Sequence, residues 1–109
     1  MYYAIHATKT IGGEVVSVPV VTLESERAAL DAFKAAIKAD AAELDEPPIR
    51  WVGARVEYVL EQTESITGLG VADVIAMATV KRPVNSPKAE IWVSLDGRPP
   101  QRRVNAAEL

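Results

Sequence analysis

Residues 2–8 alternate weakly between polar and hydrophobic positions and are rich in aromatic and β-branched side chains, which predicts a β-strand. Gly12 and Gly13 follow, and both tolerate the positive φ angles of a tight hairpin. Residues 14–23 predict the second strand of that hairpin. Pro19 cannot donate a hydrogen bond to a neighbouring strand, so we expect this strand to lie at an edge of the sheet. Three of its valines are predicted to share one face: Val16, Val18 and Val20.

A period of 3.6 residues replaces the alternation in residues 26–44 and predicts one long helix. Ser25 suits the N-cap position, because its hydroxyl oxygen can accept a hydrogen bond from a free N–H of the first turn. Pro47 and Pro48 cannot continue a helix, so we expect the helix to end before them. The core-facing stripe of the helix has five members: Leu30, Phe33, Ile37, Ala41 and Leu44.

Alternation returns three times in the second half of the chain, in residues 51–64, 71–82 and 89–95. Each stretch predicts a half-buried strand. Residues 65–70, which contain glycine, and residues 83–88, which contain proline, predict the turns between these strands. The apolar positions expected to face the core are Val52, Ala54, Val56, Tyr58, Leu60, Val74, Ala76, Ala78, Val80, Ile91, Val93 and Leu95.

The resulting order is β-β-α-β-β-β. It predicts a two-layer α+β fold, in which one long helix packs on one face of a mostly antiparallel sheet of about five strands. We expect a single domain over residues 1–97. Residues 98–109 are predicted to be a basic C-terminal tail that is either flexible or engaged in protein contact.

Composition narrows the chemistry that the chain can perform. The 109 residues include no cysteine, which excludes disulfides, thiolate nucleophiles and cysteine-bound metals. The N-terminus lacks the charged region and unbroken apolar run of a signal peptide, and no stretch approaches the ~20 apolar residues of a membrane span. We therefore expect a cytoplasmic protein with no membrane partner.

The net charge of -3 is unevenly distributed. Residues 1–79 carry 6 Lys/Arg and 12 Asp/Glu, a balance of -6, whereas residues 80–109 carry 6 Lys/Arg and 3 Asp/Glu, a balance of +3. Such a split can mark a nucleic-acid-binding arm. An acidic body with few aromatic residues to stack on bases instead favours protein contact or a flexible tail. The tail contributes three of the basic residues: Arg98, Arg102 and Arg103.

Residues with catalytic or ligand-binding chemistry are sparse. His6 is the single histidine, and the sequence offers it neither a nucleophile nor a second metal ligand of its kind. The Thr-Gly-Leu-Gly run at residues 67–70 lacks the lysine that completes a phosphate loop, so we interpret it as a hairpin turn. We therefore predict no catalytic residue, no metal and no cofactor.

Four acidic residues lie near the C-terminal end of the predicted helix, where the helix dipole favours cations. They are Asp40, Glu43, Asp45 and Glu46. Two interpretations remain open. The carboxylates are either a solvated surface, or they receive a basic surface such as the arginine tail of the same or a second copy.

Two predicted surfaces are less polar than an isolated domain needs. The side of the helix opposite the core stripe forms a ridge of small residues, hereafter the alanine ridge: Ala28, Ala32, Ala35, Ala39 and Ala42. Small residues let a second backbone approach closely, so this ridge is either exposed helix or a dimer contact about a two-fold axis. The sheet face away from the helix, hereafter the outer face, carries the other contact candidates, because an aromatic residue beside apolar neighbours is typical of an interface centre. They are Trp92, Met77, Ile75, Val59 and Arg55.

The leading hypothesis is a small non-catalytic protein of the accessory or inhibitor type that contacts another protein and forms a homodimer. Chains of this size and composition are typical of phages and other mobile elements, which is an analogy and not a resemblance to a named family. One alternative is a nucleic-acid-binding module that uses the sheet and the basic end. Another is a small enzyme or ligand carrier with a pocket between helix and sheet near Tyr58, His6 and Tyr3.

Overall fold

The structure, a computed structural model, describes residues 1–45, 51–64 and 72–109. Pro47 and Pro48, which were predicted to end the helix, lie outside the described residues, as does the turn predicted at 65–70. The described elements are, in chain order, β1 (Tyr2–Ile11), β2 (Glu14–Leu23), α1 (Glu26–Asp45), β3 (Arg55–Thr63), β4 (Ala72–Lys81), β5 (Glu90–Ser94), β6 (Arg102–Val104) and a short 3-10 helix (Ala106–Glu108).

The six strands form one sheet in the order β2-β1-β3-β4-β5-β6, and every neighbouring pair is antiparallel. The helix α1 packs on one face of this sheet. The predicted two-layer α+β fold is therefore confirmed, with one strand more than the expected five. The additional strand, β6, lies within residues 98–109 and pairs with β5. Three residues, two of them arginines, are too short a stretch for alternation to reveal.

The two-glycine turn joins β1 to β2 as predicted. Gly12 and Gly13 have φ angles of 60° and 83°, and positive φ at both central positions is what the type I′ hairpin turn requires. The second strand of this hairpin, β2, lies at the edge of the sheet, as Pro19 predicted.

A β-bulge interrupts the predicted alternation of β2. Ile5 of β1 pairs with Val21, one residue beyond the position that an uninterrupted ladder from Val18 would give. The prediction that Val20 continues the face of Val18 is therefore wrong, and Val21 takes its place on the helix side. Pro19 lies in the bulge, which is one of the few places in a sheet that accept proline.

A second bulge changes the facing of β4. Leu60 of β3 pairs with Ala76, but Glu61 pairs with Val74, so Ile75 is an extra residue in the ladder. The prediction that Val74 faces the core is therefore wrong, because Val74 lies beside Glu61 on the outer face and is exposed. The sequence does not reveal this bulge, because the apolar residues of β4 continue to alternate with a period of two through it.

Three further core predictions need correction. Val52 and Leu95 lie just beyond the ends of β3 and β5, and both are exposed. Leu30 is only half-buried, and Ala29 occupies the buried position beside it. The helix is thus rotated slightly from the predicted stripe. No described helix combines the length and the apolar character that a membrane crossing requires.

The core lies between α1 and the middle strands. Phe33, Ile37 and Leu60 have no solvent-exposed surface. The rings of Phe33 and Tyr58 meet edge to face, with centroids 6.2 Å apart and planes at 79°, which is a preferred geometry for aromatic pairs. Trp51 is also buried and belongs to the same cluster.

The C-terminal end of α1 is stabilised by the two ends of the β4–β5 connection. The guanidinium of Arg82, a buried residue, donates a hydrogen bond of 2.5 Å from Nη1 to the carbonyl oxygen of Leu44. Asp45 accepts a hydrogen bond of 2.6 Å at Oδ1 from the backbone N–H of Ala89. A cation at this position satisfies a free carbonyl and opposes the negative end of the helix dipole. It offsets the acidic residues of the last turns.

The helix is narrower than the sheet it covers. Six strands at ~4.8 Å spacing place the outermost strands about 24 Å apart, whereas a helix with its side chains is ~10–12 Å wide. Helix-side residues at the edges therefore stay exposed. On β2, Val16 is 57% exposed and Val21 is 50% exposed.

The substitution Phe33→Ala tests the packing of the core. It removes a fully buried ring and its contact with Tyr58, so we expect the free energy of unfolding to fall by about 3–5 kcal/mol. Chemical denaturation measures this difference. The control is Val84→Ala, at a residue 73% exposed, and it should change stability by less than ~0.5 kcal/mol. Equal effects of the two substitutions would contradict this description of the core.

Candidate functional site

The outer face carries a contiguous apolar strip, hereafter the outer patch, which consists of Val59, Met77 and Trp92. Val59 of β3 is directly opposite Met77 of β4. Met77 is opposite Ser94 of β5, so Trp92, two residues earlier on that strand, is its diagonal neighbour. All three residues of the patch are half-buried. The structure thus brings together side chains from three strands, whereas Ile75, the remaining apolar candidate, packs against the core cluster.

Charged groups surround Trp92. The ammonium of Lys81 lies 5.2 Å from the centroid of the indole, within the range of a cation–π interaction. The indole N–H donates a hydrogen bond of 3.4 Å to Glu90. The same glutamate lies 3.6 Å from a guanidinium nitrogen of Arg103 on β6. These contacts hold the indole in place on the sheet.

An ion pair and a histidine–glutamate hydrogen bond border the outer patch on β1 and β3. Arg55 and Glu57 lie 3.2 Å apart through Nε and Oε1, and both are exposed. His6 Nε2 lies 3.1 Å from Glu61 Oε2. The outer face therefore has an apolar centre with a charged border, which is the usual anatomy of a protein–protein interface.

The placement of His6 corrects the predicted pocket. His6 lies on the outer face, whereas the hydroxyl of Tyr58 points to α1 on the other face. The third predicted member, Tyr3, packs against the core cluster on the helix side. These three residues line no common cavity, and Phe33 fills the space beside Tyr58. Among the described residues, no hydroxyl hydrogen-bonds to His6 as the nucleophile of a catalytic triad would.

The alanine ridge is exposed along most of its length. Ala28, Ala35, Ala39 and Ala42 are exposed. Ala32 is half-buried and packs against the core cluster. Four of the five predicted members of the ridge are therefore exposed to solvent.

The three arginines of residues 98–109 do not form one basic surface. Arg98 lies 4.0 Å from Asp96, and Arg102 lies 3.4 Å from Glu108. Arg103 is on the outer face with Glu90, whereas Arg102 pairs with a helix-side residue of β5. Each arginine is therefore next to a carboxylate of its own chain, which weakens the attraction that phosphates would feel.

The acidic residues near the end of α1 are partly accounted for within the chain. Asp40 lies 3.3 Å from the ammonium of Lys9 and accepts a hydrogen bond from the Tyr58 hydroxyl. Burial, together with the nearby Asp40 carboxylate, raises the pKa of Tyr58 far above its ordinary value. Asp40 acts as a polar link between the helix and the sheet. Glu46 lies outside the described residues.

A concave surface that the sequence did not predict lies between α1 and the β5–β6 end of the sheet. This groove has a volume of about 650 Å³. Its apolar lining is Val93, Leu95, Pro99, Val104 and Leu109, and its charged lining is Lys34, Asp96, Arg98, Arg102 and Glu108. Its polar lining is completed by Ser94 and Gln101.

One side of the groove is ordered by Asp96. The hydroxyl of Ser94 donates a hydrogen bond of 2.5 Å to this carboxylate, and the backbone N–H of Arg98 donates another of 3.1 Å. These bonds lower the pKa of Asp96 from its ordinary value. The groove exists because the helix is too narrow to cover β5 and β6, and the sequence pattern carries no information about that width.

Comparison with protein-family models, with curated proteins and with solved structures found no match to this chain.

The raised pKa of Tyr58 predicts a loss of stability in alkali. An unfolded tyrosine ionises near pH 10, whereas the folded protein keeps Tyr58 protonated, so the unfolded state loses a proton that the folded state retains. The contribution is fully present below pH 10 and is lost as pH rises above it, by up to about 1.4 kcal/mol per pH unit. Denaturation curves recorded from about one pH unit below to about one pH unit above the ordinary tyrosine pKa measure this slope.

The variant Tyr58→Phe should remove that slope, because it has no phenol to ionise at this position. Tyr2→Phe is the matched control, since Tyr2 lies on the other face of the sheet, and it should retain the slope. An unchanged slope in Tyr58→Phe would show that another group causes the alkaline loss of stability.

Proposed function

We propose that this chain is a cytoplasmic, non-catalytic protein of the accessory or inhibitor type that acts by binding another protein through the outer patch. The observation that carries the proposal is the continuity of that patch. Val59, Met77 and Trp92 are neighbours on three adjacent strands, on the sheet face opposite α1.

Chemistry at the border of the patch supports the same proposal. Lys81 and Glu90 hold the indole of Trp92, so this side chain loses little conformational freedom when a partner covers it. Rigid aromatic residues surrounded by polar groups are the usual energetic centres of interfaces. The ion pairs at the border then set orientation and partner choice more than affinity.

The experiment compares capture of proteins by immobilised wild type and by the double variant Met77→Thr, Trp92→Thr. Threonine keeps the strand preference of both positions while it removes the apolar surface. We expect a partner that the wild type retains to bind the double variant at least tenfold more weakly, as for the loss of an interface centre. Quantitative mass spectrometry of the retained proteins gives the ratio.

The matched control is Val84→Thr, which makes the same kind of change at an exposed residue of the β4–β5 connection. It should retain the partner as the wild type does. Circular dichroism and thermal unfolding establish that the double variant is folded. Identical sets of retained proteins for all three chains would remove the outer patch as a binding surface.

A second candidate function is the binding of a small amphiphile with an anionic head group, which the groove favours. Its volume of about 650 Å³ is within the range of ~300–1,000 Å³ typical of small-molecule sites. The lining has one more basic than acidic side chain, because it contains Lys34, Arg98 and Arg102 but only two acidic residues. An apolar wall beside this excess suits a carboxylate with a short hydrocarbon chain.

Thermal unfolding in the presence of decanoate or decanol tests this candidate. A ligand that binds only the folded protein stabilises it, by about 2.7 kcal/mol at a hundredfold excess over Kd. We expect decanoate to raise the unfolding temperature and decanol, which lacks the charge, to raise it less. Lys34→Gln should reduce the effect of decanoate. Equal effects of the two ligands on both chains would remove the groove as an anion site.

A further inference from the structure

The edge strand β2 is long, apolar and uncharged over most of its length. It has ten residues, and residues 15–23 contain no charged side chain. Val15 is 66% exposed and Val16 is 57% exposed. Edge strands of isolated proteins are usually short, charged or covered, because their free N–H and C=O groups pair readily with another strand. Proline and a β-bulge are also protections of an edge strand, but in β2 both lie beyond Val18, and residues 15–18 before them carry no charged side chain.

We propose that two copies of this chain pair through β2, antiparallel and about a two-fold axis at Val16, so that their two sheets become one continuous sheet. This inference is independent of the proposed function, since it uses an edge of the sheet and not its outer face. The two-fold axis makes the contact closed, because each copy offers the same strand to the other.

The hydrogen-bonding groups of β2 fit this pairing. In a two-residue hairpin the residues that flank the turn, Ile11 and Glu14, exchange backbone hydrogen bonds with each other. Successive residues then alternate between the two edges of the strand. Val15 and Ser17 therefore direct their N–H and C=O groups away from β1. An axis at Val16 places Val15 opposite Ser17 of the second copy. The N–H of each of these residues then faces the C=O of the other, so all four groups can form hydrogen bonds.

The side chains also fit. Val16 meets Val16 of the second copy, and Glu14 meets Val18, so no like charges face each other. Paired residues lie on the same face of the joint sheet, because their positions differ by an even number. The valines on both sides of the strand, which the single chain leaves exposed, then pack across the new contact.

The bulge selects this register over its nearest rival. An axis at Val18 would also place valines opposite valines, with Val15 facing Val21. The bulge puts these two residues on opposite faces of the sheet, so their side chains cannot meet. Pro19 also has no N–H to donate. Pairing is therefore confined to residues 14–18, where the strand is regular.

A single cysteine tests the axis, because the chain has none of its own. Directly opposite residues of a non-hydrogen-bonded antiparallel pair have Cα atoms ~4.5 Å apart, within the ~4.4–6.8 Å that a disulfide spans. We expect Val16→Cys to form a disulfide-linked dimer under mild oxidation, at least tenfold faster than Ser17→Cys or Ala35→Cys. Ser17→Cys reports on the register, and Ala35→Cys reports on the alanine ridge.

Light scattering after size-exclusion chromatography tests the unmodified protein. We expect the wild type to be a dimer and Val16→Lys to be a monomer, because two ammonium groups would meet at the axis. Ala35→Glu and Trp92→Thr should remain dimers. A wild type that stays monomeric at hundreds of micromolar overturns the proposal. So does a dimer that Ala35→Glu or Trp92→Thr dissociates while Val16→Lys does not, which would assign the contact to the ridge or to the outer patch.

Discussion

The packing of one helix on a wider sheet is the constraint on which the rest of this structure depends. Phe33 and Ile37 bury completely against the middle strands, and this contact supplies most of the hydrophobic stabilisation that a small domain can obtain. One helix covers only about half of the sheet's ~24 Å width. The exposed valines of β2 at one edge and the groove beside β5 and β6 at the other are both consequences of that mismatch.

The two bulges decide which side chains the molecule presents. In β4 the bulge turns Val74 to the outer face, and Ile75 packs against the core cluster. In β2 the bulge takes up Pro19, and it leaves a regular stretch only on the side of the hairpin turn. Each bulge thus interrupts the hydrogen bonding between two strands and changes which side chains lie on each face of the sheet. Both surfaces on which contact is proposed are shaped by such an irregularity.

Hydrophobic periodicity was sufficient for the fold class, because the helix and the longer strands repeat their pattern many times. Alternation predicted β3 well, where Val56, Tyr58 and Leu60 are buried as expected. It could not predict β6, because this strand has only three residues and forms by pairing with β5. It could not predict the bulges either, because apolar residues occur there at consecutive positions and so fit either facing. The members of the outer patch were predicted as candidates from facing alone. Their contiguity depends on strand order and register, which the sequence pattern does not specify.

The distribution of charge in the chain supports contact through apolar surfaces. The basic end is divided by β6 between the two faces of the sheet, and each of its arginines has a carboxylate within 4.0 Å. At the end of α1, Lys9 lies beside Asp40 and Arg82 reaches the Leu44 carbonyl oxygen. Because Arg98, Arg102 and Arg103 each lie beside a carboxylate, the attraction that residues 98–109 exert on an anionic partner is weakened. The proposed contacts therefore depend on short-range burial of valine, methionine and tryptophan.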